Sequence, residues 1–334
     1  MAPGAGTRIS GESAIAIGTF DGVHLGHRRL LEELARHAKA RQLSTAVVTF
    51  DPHPATVVHR ESAPFALNTL SQKLDLIANC GISQTLVVPF DRARADESAE
   101  DFVRNVLIGD LLARLVVVGK DFHFGRGREG NVAVLTELGR TYGFNVVGMR
   151  LHSCDGGPIS SSRIRRLIAD GDIERAAQLL GRPHCVIGSV LEGTPLSISG
   201  QSQVSVVTIP AMFATPKAGM YAGRVARLNG SSQVAVLEVT SAVAGRTERL
   251  IRCHAIDLSP ETAKSVDDPL VAVSFTSALQ PTPTAHDAPL TTRVLETYAE
   301  QVRSISTASS QLLTPTLATF KMKCEAYQPD QSTP

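Results

Sequence analysis

The chain has 334 residues, enough for two domains that each bury a sizeable core. Its 33 basic residues balance 32 acidic ones for a formal net charge of +1, which leaves no electrostatic footprint for nucleic acid or an anionic membrane. No apolar run reaches membrane length, residues 1–12 lack a basic-then-apolar leader, and the five cysteines (Cys80, Cys154, Cys185, Cys253, Cys324) are scattered and form no C-x-x-C pair. A reduced, cytoplasmic protein with small-molecule partners is expected.

Up to residue 185, short apolar runs alternate with helical patterns. Strands are predicted at 14–17, 45–50, 85–88, 115–118 and 145–147, and helices at 25–40, 70–79, 99–107 and 132–142, followed by two short helices at 162–169 and 173–180. This alternation predicts an α/β fold with a doubly wound parallel sheet, whose ligands sit beyond the carboxyl ends of the strands. After Pro183 the pattern changes to closely spaced β-rich runs at 185–191, 204–209, 220–226, 233–238, 250–256 and 270–275, as in a small β-barrel. The Pro/Thr-rich stretch 280–289 reads as a linker. Val294, Leu295, Tyr298, Val302 and Ile305 then mark an amphipathic helix expected to pack back on the barrel, and 328–334 reads as a disordered tail. The expected organisation is a nucleotide-binding domain over 1–185, a barrel over 186–280, and a linker, helix and tail over 281–334.

The most informative stretch runs from Gly18 to His27, Gly-Thr-Phe-Asp-Gly-Val-His-Leu-Gly-His, between the first strand and the first helix. Histidines three apart in a first helical turn share one face, and the helix N-terminus beside them favours an anion. Gly26 permits close approach of backbone and phosphate. His24 and His27 can therefore both reach one triphosphate, and the chemistry suggested is nucleotidyl transfer. No third Cys, His or carboxylate stands nearby to complete a zinc site, so no residue is assigned to a metal.

Three further motifs fall at strand ends or helix starts: Thr49-Phe50-Asp51-Pro52-His53-Pro54, Val118-Gly119-Lys120-Asp121-Phe122-His123-Phe124-Gly125, and Ser160-Ser161-Ser162-Arg163-Ile164-Arg165. Taken singly, the second strand's Pro-His-Pro end is also a rigid turn, and the serine cluster is also a helix cap. Arg126-Gly127-Arg128 suits either a solvated loop or a flap over phosphate. Taken together and in this order, the motifs resemble the FAD synthetase (FMN adenylyltransferase) module of the bacterial bifunctional riboflavin kinase/FAD synthetase family, over roughly residues 14–185.

The resemblance implies roles position by position. His24 and His27 match the pair that binds the ATP phosphates and stabilises charge at the α-phosphoryl group, and Gly18, Phe20, Asp21 and Gly26 belong to the same nucleotide loop. Ser161 and Ser162, with Arg163 as a catalytic cation and Arg165 beside it, match a Ser-Ser-Thr-x-Ile-Arg segment that serves the triphosphate; Ser162 replaces the threonine but keeps the hydroxyl. Asp121 and Phe122 match an adenosine-side motif, and Pro52, His53 and Pro54 a loop on the flavin side. ATP with Mg²⁺, and FMN, are the implied substrates and cofactor. His123 stands where arginine is usual.

The second half resembles the family's riboflavin kinase module only in outline. Leu180-Gly181-Arg182-Pro183 leads in and Gly219-Met220-Tyr221-Ala222 matches a Gly-Val-Tyr-Ala strand start. The Gly-x-Pro-Thr-Ala-Asn segment has no counterpart around residues 194–199, and Arg252-Cys253-His254 stands where the family has Glu-x-His. A guanidinium cannot accept a proton from a ribityl hydroxyl. The expectation is an FAD synthetase that has lost riboflavin kinase activity, with Glu238 or Asp257 as the carboxylates able to replace the missing one. The same fold acting on another nucleotide or phosphorylated acceptor, and a non-catalytic flavin- or nucleotide-binding protein, are the alternatives.

Overall fold

The computed structural model describes residues 11–150, 153–154, 157–191, 196–198, 202–227, 232–241, 247–256, 270–280 and 292–308. Residues 281–289 of the linker, the tail at 328–334, Asp257, Cys324 and residues 194, 195 and 199 lie outside them. Two compact units are formed: one by residues up to Val186 together with Ala211–Lys217, the other by Ile187–Pro210 and residues from Ala218 onward.

The first unit is built on five parallel strands: β1 (Ser13–Ile17), β2 (Ser44–Asp51), β3 (Gln84–Pro89), β4 (Ala113–Gly119) and β5 (Asn145–Met149), in the spatial order β3-β2-β1-β4-β5. β1 is buried on both faces, and its alternation feeds two separate cores. Ile15 and Ile17 pack with Val48, Val116, Phe102 and Leu135, whereas Ala14 and Ala16 pack with Leu31, Leu34, Val47 and Ile77. This two-sided burial is what a doubly wound sheet requires, and the strand order reverses between β1 and β4. The loops that follow those two strands therefore flank the same crevice.

The helices follow from local signals. α1 (Leu25–Arg41) turns Leu31, Leu34 and Ala38 inward, and α2 (Leu70–Ala78) starts with a capping box between Thr69 and Gln72. The helix predicted at 99–107 is instead one α-turn, α3 (Ala99–Phe102), continued by a π-helix over Val103–Asp110. Phe102, Val103, Val106, Leu107 and Leu111 are all buried, a spacing of four to five residues that the wider turn keeps on one side. α4 (Val132–Tyr142) ends on Gly143 in the left-handed conformation, and α5 (Ser161–Asp170) and α6 (Ile173–Leu180) close the unit.

The second unit is an antiparallel barrel of β6 (His184–Val190), whose first three residues belong to the first unit, β7 (Ser202–Pro210), β8 (Gly219–Arg227), β9 (Ser232–Val239), β10 (Glu248–Ala255) and β11 (Leu270–Ala278). The order β6-β11-β8-β9-β10-β7 is closed by pairing of β6 with β7 through Ser189–Thr208 and Val190–Val207. α7 (Thr292–Ala308) lays Val294, Tyr298 and Val302 against Ala222 and Val236 of this barrel.

Candidate active site

The first loop is held in a costly shape. Phe20 and Val23 have φ of 48° and 37°, left-handed values that cost a side-chain-bearing residue about 1–2 kcal/mol each. At Gly22 (φ +82°) a Cβ would stand 2.7 Å from Leu67 Cδ1, so the turn has no room for a side chain. Backbone clamps compensate: Gly22 N–H donates to Asn68 Oδ1 (2.9 Å), and Arg182 donates to the carbonyls of Gly22 (2.6 Å) and Val23 (3.3 Å). Arg182 thus serves the first unit as a buried clamp, where the sequence had read it only as the lead-in to the barrel. Burial pushes its pKa down to about 10, and it remains charged at neutral pH.

His24 is the N-cap of α1, and its Nδ1 accepts the backbone N–H of His27 at 3.3 Å. The rings stack with centroids 3.6 Å apart and planes 13° from parallel, and Phe20 tilts onto His27 at 5.1 Å. A Cβ on Gly26 would sit 3.1 Å from the His24 ring, so glycine there lets that ring lie against the helix start. Burial, reinforced by Arg182, lowers the His24 pKa to about 4; burial and the neighbouring His24 hold His27 well below its ordinary value. Both rings are neutral at pH 7. Because His24 Nδ1 is an acceptor, its proton sits on Nε2. His27 Nδ1 is buried without a hydrogen-bond partner among the described residues, a desolvation cost that the fold carries at this point.

The loop opens into a cleft of about 1140 Å³. Of the residues singled out from sequence, Gly18, Phe20, His24, Gly26, His27, His53, Pro54, Asp121, Phe122, Ser161, Ser162 and Arg165 line it. Asp21, Pro52 and Arg163 do not. Asp21 is buried behind the loop, accepting Leu67 N–H at Oδ1 (3.0 Å), pairing with Arg165, and receiving Ser161 Oγ–H at its carbonyl oxygen (2.8 Å). It is an internal anchor. Arg163 is turned away from the cleft: its Nη1 donates to the carbonyls of Cys154 (2.7 Å), Gly157 (3.1 Å) and Pro158 (3.5 Å) of the adjoining hairpin. Arg165 is the α5 cation that reaches the cleft. Ser160 caps α5 by accepting Arg163 N–H at 3.3 Å, which leaves Ser162 on the cleft wall instead of at the cap.

Phe90, Phe102 and Lys73 fall outside the sequence motifs, whereas Phe50, His53, Phe122 and Phe124 lie within them. Phe50, Phe90, Phe102, Phe122 and Phe124 make an aromatic wall, with Phe122 stacked on Phe124 at 5.3 Å and Phe90 edge-on to Phe50 at 5.7 Å. Lys73 of α2 is buried behind the end of β2, donating to Phe50 O (3.2 Å) and Thr49 Oγ1 (3.4 Å), and burial lowers its pKa. His53 caps the short helix Pro54–Val58 through Nδ1 and is also pushed down by burial. Arg128 lines the cleft with its guanidinium 3.4 Å from His123 Nδ1, and Arg126 does not.

A family model for FAD synthetase matches residues 7–163. The bifunctional riboflavin kinase/FMN adenylyltransferase of Escherichia coli strain K12 is 34% identical over 248 residues, which cover 73% of this chain and 78% of that one. The chain belongs to this family. The protein of the same description from Listeria monocytogenes is 33% identical over 229 residues, covering 67% of this chain and 71% of that one. A solved structure described as a macrolide-efflux protein from Streptococcus pneumoniae superposes with a TM-score of 0.69 over 91% of this chain and 95% of that one; at 19% identity the likeness is one of fold. The first unit is accordingly an FAD synthetase domain, a nucleotidyltransferase. No helix among the described residues is long and apolar enough to cross a membrane.

In the second unit, Arg252 of β10 lies opposite Glu238 of β9 and donates to its Oε1 at 2.8 Å; His254 Nε2 lies 3.6 Å from Oε2. Burial raises the Glu238 pKa, but the His254 contact and the Arg252 charge outweigh it and leave the carboxyl below its ordinary value. Glu238, one of the two carboxylates that the sequence offered as a replacement base, is thus ion-paired to Arg252.

Proposed function

We propose that this chain transfers AMP from ATP to FMN, giving FAD and pyrophosphate, and that it does not phosphorylate riboflavin. The observation that carries the first part is the pair of neutral, stacked imidazoles of His24 and His27 at a helix N-terminus that opens into a cleft with Arg165 on its wall.

An FMN phosphate oxygen attacks the α-phosphorus of ATP in line, the bond to the β-phosphate oxygen breaks, and pyrophosphate leaves with that electron pair. The attacking oxygen is already ionised at neutral pH, so no protein base or nucleophile is needed. The chain's contribution is positioning and charge stabilisation. His24 Nε2–H donates to an α-phosphoryl oxygen as negative charge builds there, with His27 stacked against it. The α1 backbone N–H groups favour the same anion, and Arg165 offers a cation fixed by Asp21. The five phenylalanines supply an apolar, stackable wall suited to a flat ring system. Mg²⁺ belongs to this reading as a companion of the triphosphate. No cluster of three Cys, His or carboxylate ligands stands among the described residues, and no step is routed through the ion.

The loss of riboflavin phosphorylation rests on Arg252 at the place of the family's glutamate and on the engagement of Glu238 by that arginine. Purified protein incubated with ATP, CTP or GTP against a panel of phosphorylated acceptors, with pyrophosphate release and product chromatography as readouts, tests the first part. FAD from ATP and FMN is expected. Turnover only with another nucleotide or acceptor, or none, overturns it.

A further inference from the structure

Residues Phe65 to Asn68 carry no sequence motif, yet they hold the site from behind. Arg165 Nε donates to Phe65 O (2.6 Å), Leu67 N–H donates to Asp21 Oδ1 (3.0 Å), and Asn68 Oδ1 accepts Gly22 N–H (2.9 Å). The polar groups of Phe65 and Leu67 face the loop and Arg165, and those of Ala66 face away.

What Ala66 faces is a piece of chain from far along the sequence. Ala66 N–H donates to Met212 O (2.8 Å), and Ala214 N–H returns a bond to Ala66 O (2.9 Å), a parallel bridge with Phe213 at its centre. The segment Ala211–Lys217 lies between β7 and β8 in sequence, but it belongs to the first unit. His184, 2% exposed, holds it there, its Nε2 standing 2.7 Å from Ala214 O. A carbonyl only accepts, so Nε2 carries the proton and donates. Hydrogen bonds linked by short stretches of backbone therefore connect His184 to Ala214, Ala214 to Ala66, and the flanking Phe65 and Leu67 to Arg165 and Asp21.

We infer that Ala211–Lys217 is a positioning element of the adenylyl-transfer site, and that His184 is a positioning residue which acts through Ala66 on Arg165 and the first loop. Residues 65–68 bear no helix and no strand ladder of their own here, so the bonds to Met212 and Ala214 are what keep Phe65 O and Leu67 N–H aimed at the site. A guanidinium displaced by about an ångström loses much of its value to a developing charge, and misplacement on that scale costs up to about 10²-fold in rate.

The inference rests on the proposed AMP transfer for its kinetic arm and on amide exchange for an arm independent of activity. In the full chain, His184→Leu removes the donor and His184→Gln restores an amide N–H near the same place. Leu is expected to speed exchange of the Ala66 and Leu67 amides by roughly 10-fold or more while the β1 and β2 amides keep their protection. It is also expected to lower kcat roughly 10-fold, with Gln recovering most of it and with little further loss when added to Arg165→Lys. Should the leucine variant fail to fold, Ala214→Pro removes the N–H given to Ala66 O and carries the same expectations. Unchanged exchange at Ala66 and Leu67 overturns the inference. So does a loss of rate that adds in full to that of Arg165→Lys, since the effect would then not run through the arginine. If the unaltered protein makes no FAD, the proposed function fails by that result alone, and the exchange measurement still decides whether Ala211–Lys217 holds residues 65–68.

Discussion

Arg165 and Asp21, 144 residues apart in sequence, form an ion pair that is almost wholly buried on the aspartate side, with 6% of that side chain exposed against 14% of the arginine's. Asp21 thereby fixes the cation on the cleft wall while keeping its own charge out of the cleft. A carboxylate open to the site would repel a triphosphate; one paired behind it orients the group that attracts.

Arg165 and Arg163 should accordingly separate under mutation. Arg165→Ala is expected to lower kcat/KM for ATP by about 10²-fold, whereas Arg163→Ala should leave kcat close to normal and lower thermal stability through loss of three carbonyl contacts. Steady-state kinetics and thermal melts on the two variants check this. Equal kinetic losses would return Arg163 to the catalytic group.

For His27→Ala, the loss should fall on turnover. The His27 ring stacks on that of His24, so its removal lets the donor ring shift, a misplacement that costs up to about 10²-fold in kcat, and ground-state ATP binding should change much less. Unchanged turnover at saturating substrate would remove His27 from the mechanism.

Acid stability should report the buried imidazoles. His24 and His184 titrate at about 4 in the fold against an ordinary 6.5, so between those pH values the unfolded chain binds protons that the native one does not. Stability is then full above about pH 6.5, falls as pH drops toward 4, and levels off below, with each site contributing on the order of 3 kcal/mol. Urea midpoints at pH 7 and 4.5 measure it. His184→Gln should flatten the dependence, and an unaltered slope in that variant would count against the assignment.

Riboflavin incubated with ATP and Mg²⁺ should yield no FMN at an enzymatic rate, since removal of a general base commonly costs about 10²- to 10⁴-fold. Chromatography of the incubation decides. FMN formed at an ordinary rate and abolished by Glu238→Gln would show that the carboxylate of β9 does the work despite its pairing with Arg252.

Much of this site is legible in the sequence because its first half is local. The His24–His27 spacing places both rings on one face of a helix start whatever surrounds it, and the alternation of apolar runs with helical patterns requires a two-sided parallel sheet. The strand order then brings the loops after β1 and β4 together, which is why residues 18–27 and 119–125 share a cleft. What only the tertiary structure decided are the roles set by distant partners. Arg163 and Arg165 stand two apart on one helix and so point to opposite sides. Which of them meets the cleft depends on the hairpin carbonyls at Cys154 and Gly157 and on Asp21, far away in sequence. The aromatic wall gathers phenylalanines from separate strand ends and helices, and the bridge between Ala66 and Phe213 joins segments that no periodicity relates. Backbone periodicity acts over a few residues and can be read along the chain; a hydrogen bond or ion pair between remote residues exists only once the chain has folded.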